Sequence, residues 1–434
     1  MNPDNSRIVR KIFAAGVNAV RGYDAVRSVV KLTHNTLGIA GKKYRLSSFN
    51  RIIVLGAGKA SFDMAKALDE ILGRHINEGV IITKYGYGGL LNHIAVMEAS
   101  HPLPDREGIR ATQRVMSIAR DVDRHTLVIM LLSGGASSLL VAPDGISLGD
   151  KIKTTSLLLK SGAGIDELNT VRKQLSLVKG GRLAGMFYPA EIVTLIISDV
   201  IGNKLEIIGS GPTVQDTSTP QQALEIIDRY HGRDKVPQAV IKRLERKKNV
   251  TDNRAVRSKV QNIIIADNRK AVDACKNRAL KLGLTPVILT TSLHGEAREA
   301  GHVLASIANE MARRKTGNRK KVCLISSGET TVTVAGNGKG GRSQELALAF
   351  AMDIAGKQKI TLLSAGTDGT DGPTDAAGAI IDNTTTNRIA KIGMDPNTYL
   401  LNNDSYTVLD KAGALLKTGA TGTNVMDIQL ILLP

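Results

Sequence analysis

Short apolar runs alternate with stretches of helical periodicity along most of the chain. Ile52–Leu55, Val80–Thr83, Leu127–Leu132, Ile192–Ile197, Ile263–Ala266, Val322–Ser326 and Thr361–Ser364 read as strands. Several are near-continuous Val, Ile and Leu, as expected where helices cover both faces of a parallel sheet. Between them, Phe62, Ala65, Leu68 and Leu72 recur at helical spacing, and Ser343–Ile354 reads as a further helix with Ser343 as its N-cap. This alternation predicts a parallel α/β architecture. The basic stretch 229–259 is the best domain boundary, with the break near residue 245, dividing the chain into 1–245 and 246–434. The same stretch reads equally as one exposed helix, Ala239–Lys248, attached to either side.

With 434 residues, 42% apolar and 23% charged, the chain has room for two or three domains and lies outside the disordered classes. No apolar run approaches the roughly 18 residues of a membrane span. The first twenty residues read as an amphipathic helix of the mature protein, not a signal peptide. Cys275 and Cys323 form no CxxC, which points to a reducing, cytoplasmic setting and excludes a disulfide scaffold. The net charge of +18 invites an acidic partner such as nucleic acid. It is concentrated, however, in residues 1–51, 229–259 and 310–321, which carry +8, +8 and +5. Thirteen aromatics and no Trp leave little for base stacking. These segments read as solvated helix faces, and nucleic acid is not the expected partner.

The chemistry gathers where strands end. Small and polar residues follow them in VLGAGKAS (Val54–Ser61), LLSGGASSLL (Leu131–Leu140), IISDVIGN (Ile196–Asn203) and GSGPT (Gly209–Thr213). They recur in SSGETTVTVAGNGKGGRSQE (Ser326–Glu345) and SAGTDGTDGPTDAAG (Ser364–Gly378). Open α/β sheets bind ligands outside the carboxyl ends of their strands, and backbone N–H groups at such turns hold phosphate or carboxylate. Several such turns on one chain suggest a large site for a polyanion.

The familiar short motifs nevertheless fail. GAGKAS has Ile53 where a Walker A loop begins with Gly, and Ala60 where it needs Ser or Thr. Ser61 replaces the third Gly of a dinucleotide fingerprint, and Glu78 precedes its strand instead of ending it. LLSGGASSLL lacks the spacing of a nucleophile elbow. Pro373 and Ala379 exclude a calcium loop starting at Asp368.

Lys59 follows a strand inside a tight glycine turn, where its ammonium can neutralise a phosphoryl group or a carboxylate. As a plain surface lysine it would oppose the helix dipole. Arg342 ends GNGKGGR at a helix start, and its planar fork suits the same anions. Asp199 directly follows a strand and is a candidate metal ligand or acceptor of a hydroxyl proton; a turn cap is the plain alternative. Glu329 is a candidate to hold metal or orient Lys59. Asp368, Asp371 and Asp375 are weaker magnesium candidates, because Asx-turns explain many such aspartates. Ser133, Ser137 and Ser138 can hydrogen-bond phosphate, beside backbone contacts at Gly56, Gly58, Gly134, Gly135, Gly338, Gly340 and Gly341. Asn402, Asn403 and Asp404 form a polar cluster, with Asn403 the binding candidate, and His101 reads as a loop residue among prolines.

Taken together, these strings resemble the glycerate 2-kinase family across essentially the whole chain. The match extends through ASHPLPDREG (Ala99–Gly108), LNTVRKQLSLVKGGRLA (Leu168–Ala184), NNDSY (Asn402–Tyr406) and TGATGTNVMDIQLILL (Thr418–Leu433). The resemblance implies a Rossmann-like N-terminal domain, a smaller C-terminal α/β domain of the MOFRL type, and an active site in the cleft between them. It implies transfer of the ATP γ-phosphoryl group to the 2-hydroxyl of D-glycerate with Mg²⁺ or another divalent cation, and it places the critical residues at Lys59 and Arg342, with Asp199 joining them. Ser343 and Asn203 depart from residues common in the family. The GGASS turn and the GNGKGGR loop would hold nucleotide phosphates. A homodimer is left open. The rival readings are a hydroxypyruvate reductase, suggested by GAGKAS after a strand, and a basic nucleic-acid-binding protein.

Overall fold

The computed structural model describes residues 2–230, 232–247, 259–314 and 320–434. They form two units, Gly22–Ile265 and Met1–Arg21 joined with Ala266–Pro434.

In the first unit, β1 (Val30–Thr33), β2 (Thr36–Ile39) and β3 (Lys42–Arg45) form a small antiparallel sheet. The main sheet comprises β4 (Arg51–Ala57), β5 (Glu78–Lys84), β6 (Ala95–Ala99), β7 (Thr126–Leu132), β8 (Glu191–Ile197) and β9 (Val260–Ala266), in the order β6-β5-β4-β7-β8-β9. The pairings from β6 through β8 are parallel. All seven residues of β7 are buried, which accounts for its unbroken apolar run. Ile53, Leu55, Val128, Met130, Ile192 and Ile196 form one core across the sheet. The chain runs from β4 outward to β5 and β6, then returns to build β7, β8 and β9 on the other side. A topological switch point therefore falls between β4 and β7, where open α/β sheets place their ligands.

The second unit has a mixed sheet. Its strands are β10 (Thr285–Leu293), β11 (Val322–Gly328), β12 (Thr361–Gly366), β13 (Gly378–Asp382), β14 (Leu415–Leu416) and β15 (Asp427–Leu432), in the order β10-β11-β15-β12-β13-β14. Only β10 and β11 pair in parallel; the remaining pairings are antiparallel. The parallel architecture expected throughout thus holds for the main sheet of the first unit. In the second, the last strand of the chain is inserted between β11 and β12 and reverses the local direction. Helices Ala297–Arg314 and Arg342–Asp353 cover this sheet and meet at Gly301, where a Cβ would lie 2.6 Å from Leu346 O.

The division at Ile265/Ala266 lies beyond the break expected near residue 245. The basic stretch reads locally as a linker, but it is followed by β9, which belongs to the first sheet. Helix Pro3–Asn18 packs in the second unit against helix Asn268–Lys281, with Gly16 leaving room for Cys275. The expected helix Ala239–Lys248 is observed as Gln238–Arg246, and Lys248 lies outside the described residues. No helix among the described residues is long and apolar enough to cross a membrane.

Candidate functional sites

Two turns are fastened together at the switch point of the first unit. Lys59 N donates to Gly134 O (2.8 Å), Ser133 N to Ala57 O (3.1 Å) and Ala60 N to Ser133 Oγ (3.0 Å). Gly58 has φ +133°, and a Cβ on it would collide with Ser133. Ser133 is fully buried, so it ties the two turns rather than offering its hydroxyl to a ligand. Gly56 lies within β4, where a Cβ would come 2.8 Å from Ile81 Cγ2; it serves sheet packing rather than ligand approach. At Gly135 (φ +88°), a Cβ would lie 3.0 Å from His101 Cδ2 and 3.4 Å from Lys59 Cγ, so the lysine stem, the imidazole and the glycine turn adjoin.

Beside this turn opens a cavity of about 390 Å³. Gly135, Ser137, Ser138 and His101 are among the residues that line it, with three basic side chains, Lys151, Arg172 and Lys179. Ser137 Oγ is 2.7 Å from Ser210 Oγ, and Ser138 Oγ donates to Gly135 O (3.1 Å). The hydrogen bonds of the two lysines go to backbone oxygens. Lys179 Nζ donates to Gly209 O (3.1 Å), and Lys151 Nζ to Leu175 O (3.3 Å) and Arg172 O (3.4 Å). Among the described residues, no carboxylate forms an ion pair with any of the three. Nearby Asp144 is taken by Arg243 and Lys247, and Asp216 by Lys173 and Arg182. Burial, with Arg172, Lys247 and Arg182 adding repulsion, lowers Lys151 to about 7. Burial also pushes Lys179 well below the usual lysine range and Arg172 to about 10. Buried basic groups that pair with no carboxylate are costly to charge, and an arriving anion favours their charged forms.

His101, Lys151, Arg172 and Lys179 were not singled out in the sequence as site residues. Arg172 and Lys179 lie in LNTVRKQLSLVKGGRLA, which carried the family resemblance without marking either residue. Asp199 stands two residues past the end of β8, at the same edge of the sheet as the turns after β4 and β7. Glu78 stands at the opposite end, paired with Arg51 (2.6 Å) and Arg114 (2.8 Å). Ser61 Oγ donates to Gly58 O (2.7 Å) and Ile82 O (3.1 Å). Neither residue therefore serves as the ribose acid or the third glycine of a dinucleotide site.

In the second unit, Arg342 opens helix Arg342–Asp353. Asp427, the first residue of β15, is in register with both Gly328 of β11 and Gly366 of β12. Arg342 donates through Nε and Nη2 to its two oxygens (2.6 and 2.9 Å) and through Nη1 to Glu329 Oε1 (2.5 Å). These carboxylates hold the guanidinium well above its ordinary pKa despite burial. Ser343 is not the N-cap; Gly341 is, and it has no side chain to accept. Asp371 takes that role from outside the helix, accepting from Ser343 N (3.1 Å) and Gln344 N (2.8 Å). Burial and the Asp427 charge push Asp371 up to about 7. With both oxygens accepting backbone N–H groups, Asp371 is a helix cap. Asp368 Oδ1 accepts from Thr370 N (3.0 Å), as in an Asx-turn.

The GNGKGGR loop rests on the NND segment. Asn403 Oδ1 accepts from Ala335 N (2.8 Å) and Gly336 N (2.9 Å), Asn402 Oδ1 from Asn337 N (3.2 Å), and Asp404 Oδ1 from Lys339 N (3.0 Å). Asn403 Nδ2 also donates to buried Glu345 (3.1 Å), which Arg298 neutralises at 2.8 Å. A Cβ on Gly338, Gly340 or Gly341 would strike Asp404, Ser405 or Asp371. The three glycines thus admit a close backbone approach, and Asn403 braces the loop. Together with Glu329 and Arg342 they line a cavity of about 530 Å³. Among the described residues, no three His, Cys, Asp or Glu side chains converge in a way that would hold a metal ion.

Residues 8–245 match the family described as a domain of unknown function, DUF4147, and residues 322–427 match the MOFRL family. The D-glycerate 2-kinase of Thermotoga maritima is 46% identical over 88% of this chain and 90% of its own length. A putative hydroxypyruvate reductase of Agrobacterium vitis is 44% identical over 88% of this chain and 99% of its own. The crystal structure of glycerate kinase from Thermotoga maritima superposes with a TM-score of 0.84 at 42% identity, covering 99% of this chain and all of that one.

Proposed function

Since this chain belongs to the glycerate 2-kinase family, we propose that it transfers the γ-phosphoryl group of ATP to the 2-hydroxyl of D-glycerate, forming 2-phosphoglycerate and ADP. The observation that carries this reading is the Lys59 turn, fastened to the Ser133–Gly135 turn at the switch point and bordered by basic side chains that pair with no carboxylate. Phosphoryl transfer has a loose transition state, so positioning and charge stabilisation suffice and no side-chain nucleophile is needed. Lys59 neutralises charge on the transferring group. Asp199 accepts the proton of the attacking hydroxyl. Arg342, held in a fixed orientation by Asp427 and Glu329, contributes positive charge to the same reaction.

A divalent ion carried with the nucleotide would neutralise its phosphates. Mg²⁺ is usually held by one or two carboxylates plus substrate phosphates rather than by a protein cage. Asp199 is the carboxylate we assign to it, and Asp371 is dropped from that role. A cytoplasmic setting is supported by two buried free thiols, Cys275 and Cys323.

The test is ADP release by the purified chain. It should require D-glycerate and fall by at least about 100-fold in Lys59→Ala, with a comparable loss of kcat in Asp199→Asn. NADH oxidation with hydroxypyruvate, in place of glycerate-dependent ADP release, would overturn the kinase reading in favour of the activity named for the Agrobacterium relative.

A further inference from the structure

β10 is the outermost strand of the second unit's sheet. Its nine residues, TPVILTTSL, carry no charge, although edge strands left in water are usually guarded by charged side chains. Thr285 N donates to Lys321 O on the β11 side (2.9 Å), so the neighbouring Pro286 turns its nitrogen outward. The register also shifts between Ile288 and Thr290. Both features stop a further strand from adding as a regular ladder, but neither prevents side chains from packing across the edge.

Apolar side chains gather at this edge. Among the described residues of the second unit, seven large hydrophobic side chains are exposed. Four of them, Leu280, Ile288, Val303 and Ile307, lie on β10 or on helices Asn268–Lys281 and Ala297–Arg314. Helix Asn268–Lys281 packs on β10 and β11. Helix Ala297–Arg314 shares a core with Leu324 of β11 and with Val287 and Leu289 of β10. Ile288 alternates with those two residues and so faces the other side of the sheet. Arg298, His302 and Asn309 meet helix Arg342–Asp353 at Glu345 (2.8 Å), Asp353 Oδ2 (2.8 Å) and Asp353 O (3.4 Å), and that helix lies over β12 and β13. At about 100° per residue, Val303 and Ile307 stand roughly 120–160° around from that side. They occupy the flank that looks past β10.

The same flank carries exposed Glu299 in the first turn of its helix and exposed Arg314 in the last. Acidic at one end, apolar in the middle and basic at the other, this stripe complements itself when reversed. An antiparallel copy sets Glu299 near Arg314 and Val303 near Ile307. Among the described residues Glu299 forms no ion pair, and Arg314 is held by its own Glu310 at 2.6 Å. The 18-residue helix is about 27 Å long, and two helices with a sheet between them stand on the order of 25 Å tall. A flank of that size offers on the order of 700 Å² a side, close to the ~800 Å² of a standard interface.

We propose that this edge of the second unit is a homodimer interface, formed with a second copy of the chain about a two-fold axis perpendicular to the sheet. β10 lies beside β10, and helix Ala297–Arg314 runs antiparallel to its counterpart. Val303 and Ile307 pack at the centre on one face of the sheet, and Leu280 and Ile288 on the other.

Sedimentation velocity of the full chain between about 1 and 100 µM tests it, with a reversible dimer as the expected result. Val303→Lys/Ile307→Glu changes two exposed helix positions. It should raise the dimer dissociation constant by at least about 100-fold and leave the thermal melt of dilute protein unchanged. Glu299→Arg and Arg314→Glu should each weaken association several-fold, and the two together should restore it. These residues lie about 22 Å apart on one helix, so the restoration must act between chains. A wild-type chain that stays monomeric at about 100 µM, or a dimer unmoved by Val303→Lys/Ile307→Glu, overturns the proposal. A charge swap that fails to restore association overturns the antiparallel placement.

Discussion

Arg342 and Asp427 form a two-pronged ion pair, Nε to Oδ2 at 2.6 Å and Nη2 to Oδ1 at 2.9 Å, at the point where β15 enters between β11 and β12. The aspartate side chain is only 2% exposed, so its charge depends on the arginine. Arg342→Ala leaves that charge unpaired beside Asp371 and should destabilise the protein by about 3 kcal/mol. Arg342→Ala/Asp427→Asn should recover most of that loss in a urea melt while remaining inactive. Recovery of activity in the double variant would mean that Arg342 acts only through the fold.

Lys151 makes anion binding depend on pH. Without ligand it is about half protonated near pH 7, facing Arg172, Lys247, Arg182 and Lys179, with Asp144 the opposing charge. A bound anion favours the charged form, so binding takes up a proton. Below about pH 7 the lysine is charged in both states and adds no slope. Above it, affinity should fall by up to about tenfold per unit until the bound-state pKa is reached. Ionisation of the phosphate itself works in the opposite direction but is common to Lys151→Met. The difference between the two proteins in ADP affinity from pH 6.5 to 9, with proton uptake measured in two buffers, isolates the lysine; matching profiles would count against it.

Gly58 permits the meeting of the two turns. Alanine there must adopt φ +133° and place its Cβ on Ser133. Gly58→Ala should cost at least about 2 kcal/mol and displace Lys59, lowering kcat more than it raises KM for ATP. A folded variant with wild-type turnover would show that this turn does not position the lysine.

Asn403 offers a contrasting test, because it braces the glycine-rich loop. Asn403→Ala strands the N–H groups of Ala335 and Gly336 and removes a partner of Glu345. The expected loss is about 2 kcal/mol with faster amide exchange confined to the 333–341 segment. Unchanged exchange there would remove the bracing role.

The seven strands expected from apolar runs all exist: β7, buried at every residue, shows the continuous Val, Ile and Leu signature most fully, and β9 keeps an Ile run although most of it is only partly buried. The Lys59 and Ser133–Gly135 turns were legible for a related reason: glycine, serine and lysine directly after such a run have few structural explanations. Lys151, Arg172 and Lys179 were not legible, since a basic residue on a helix or in a turn reads as solvated and only the fold reveals that Lys179 is fully buried. Asp427 is similar, an acid at the head of an apolar strand whose partner lies 85 residues away. The insertion of β15, the attachment of helix Pro3–Asn18 to the second unit and the late position of β9 are long-range pairings, and no local pattern encodes them.

The most direct test of the proposed reaction joins it to enolase. Purified protein is incubated with D-glycerate, ATP and Mg²⁺, and the product is passed to enolase without phosphoglycerate mutase. Immediate formation of phosphoenolpyruvate, lost in folded Lys59→Ala, is the predicted result. ADP release with no enolase signal until mutase is added would place the phosphoryl group on the 3-hydroxyl and contradict the 2-kinase assignment; no glycerate-dependent ADP release at all would contradict the kinase itself.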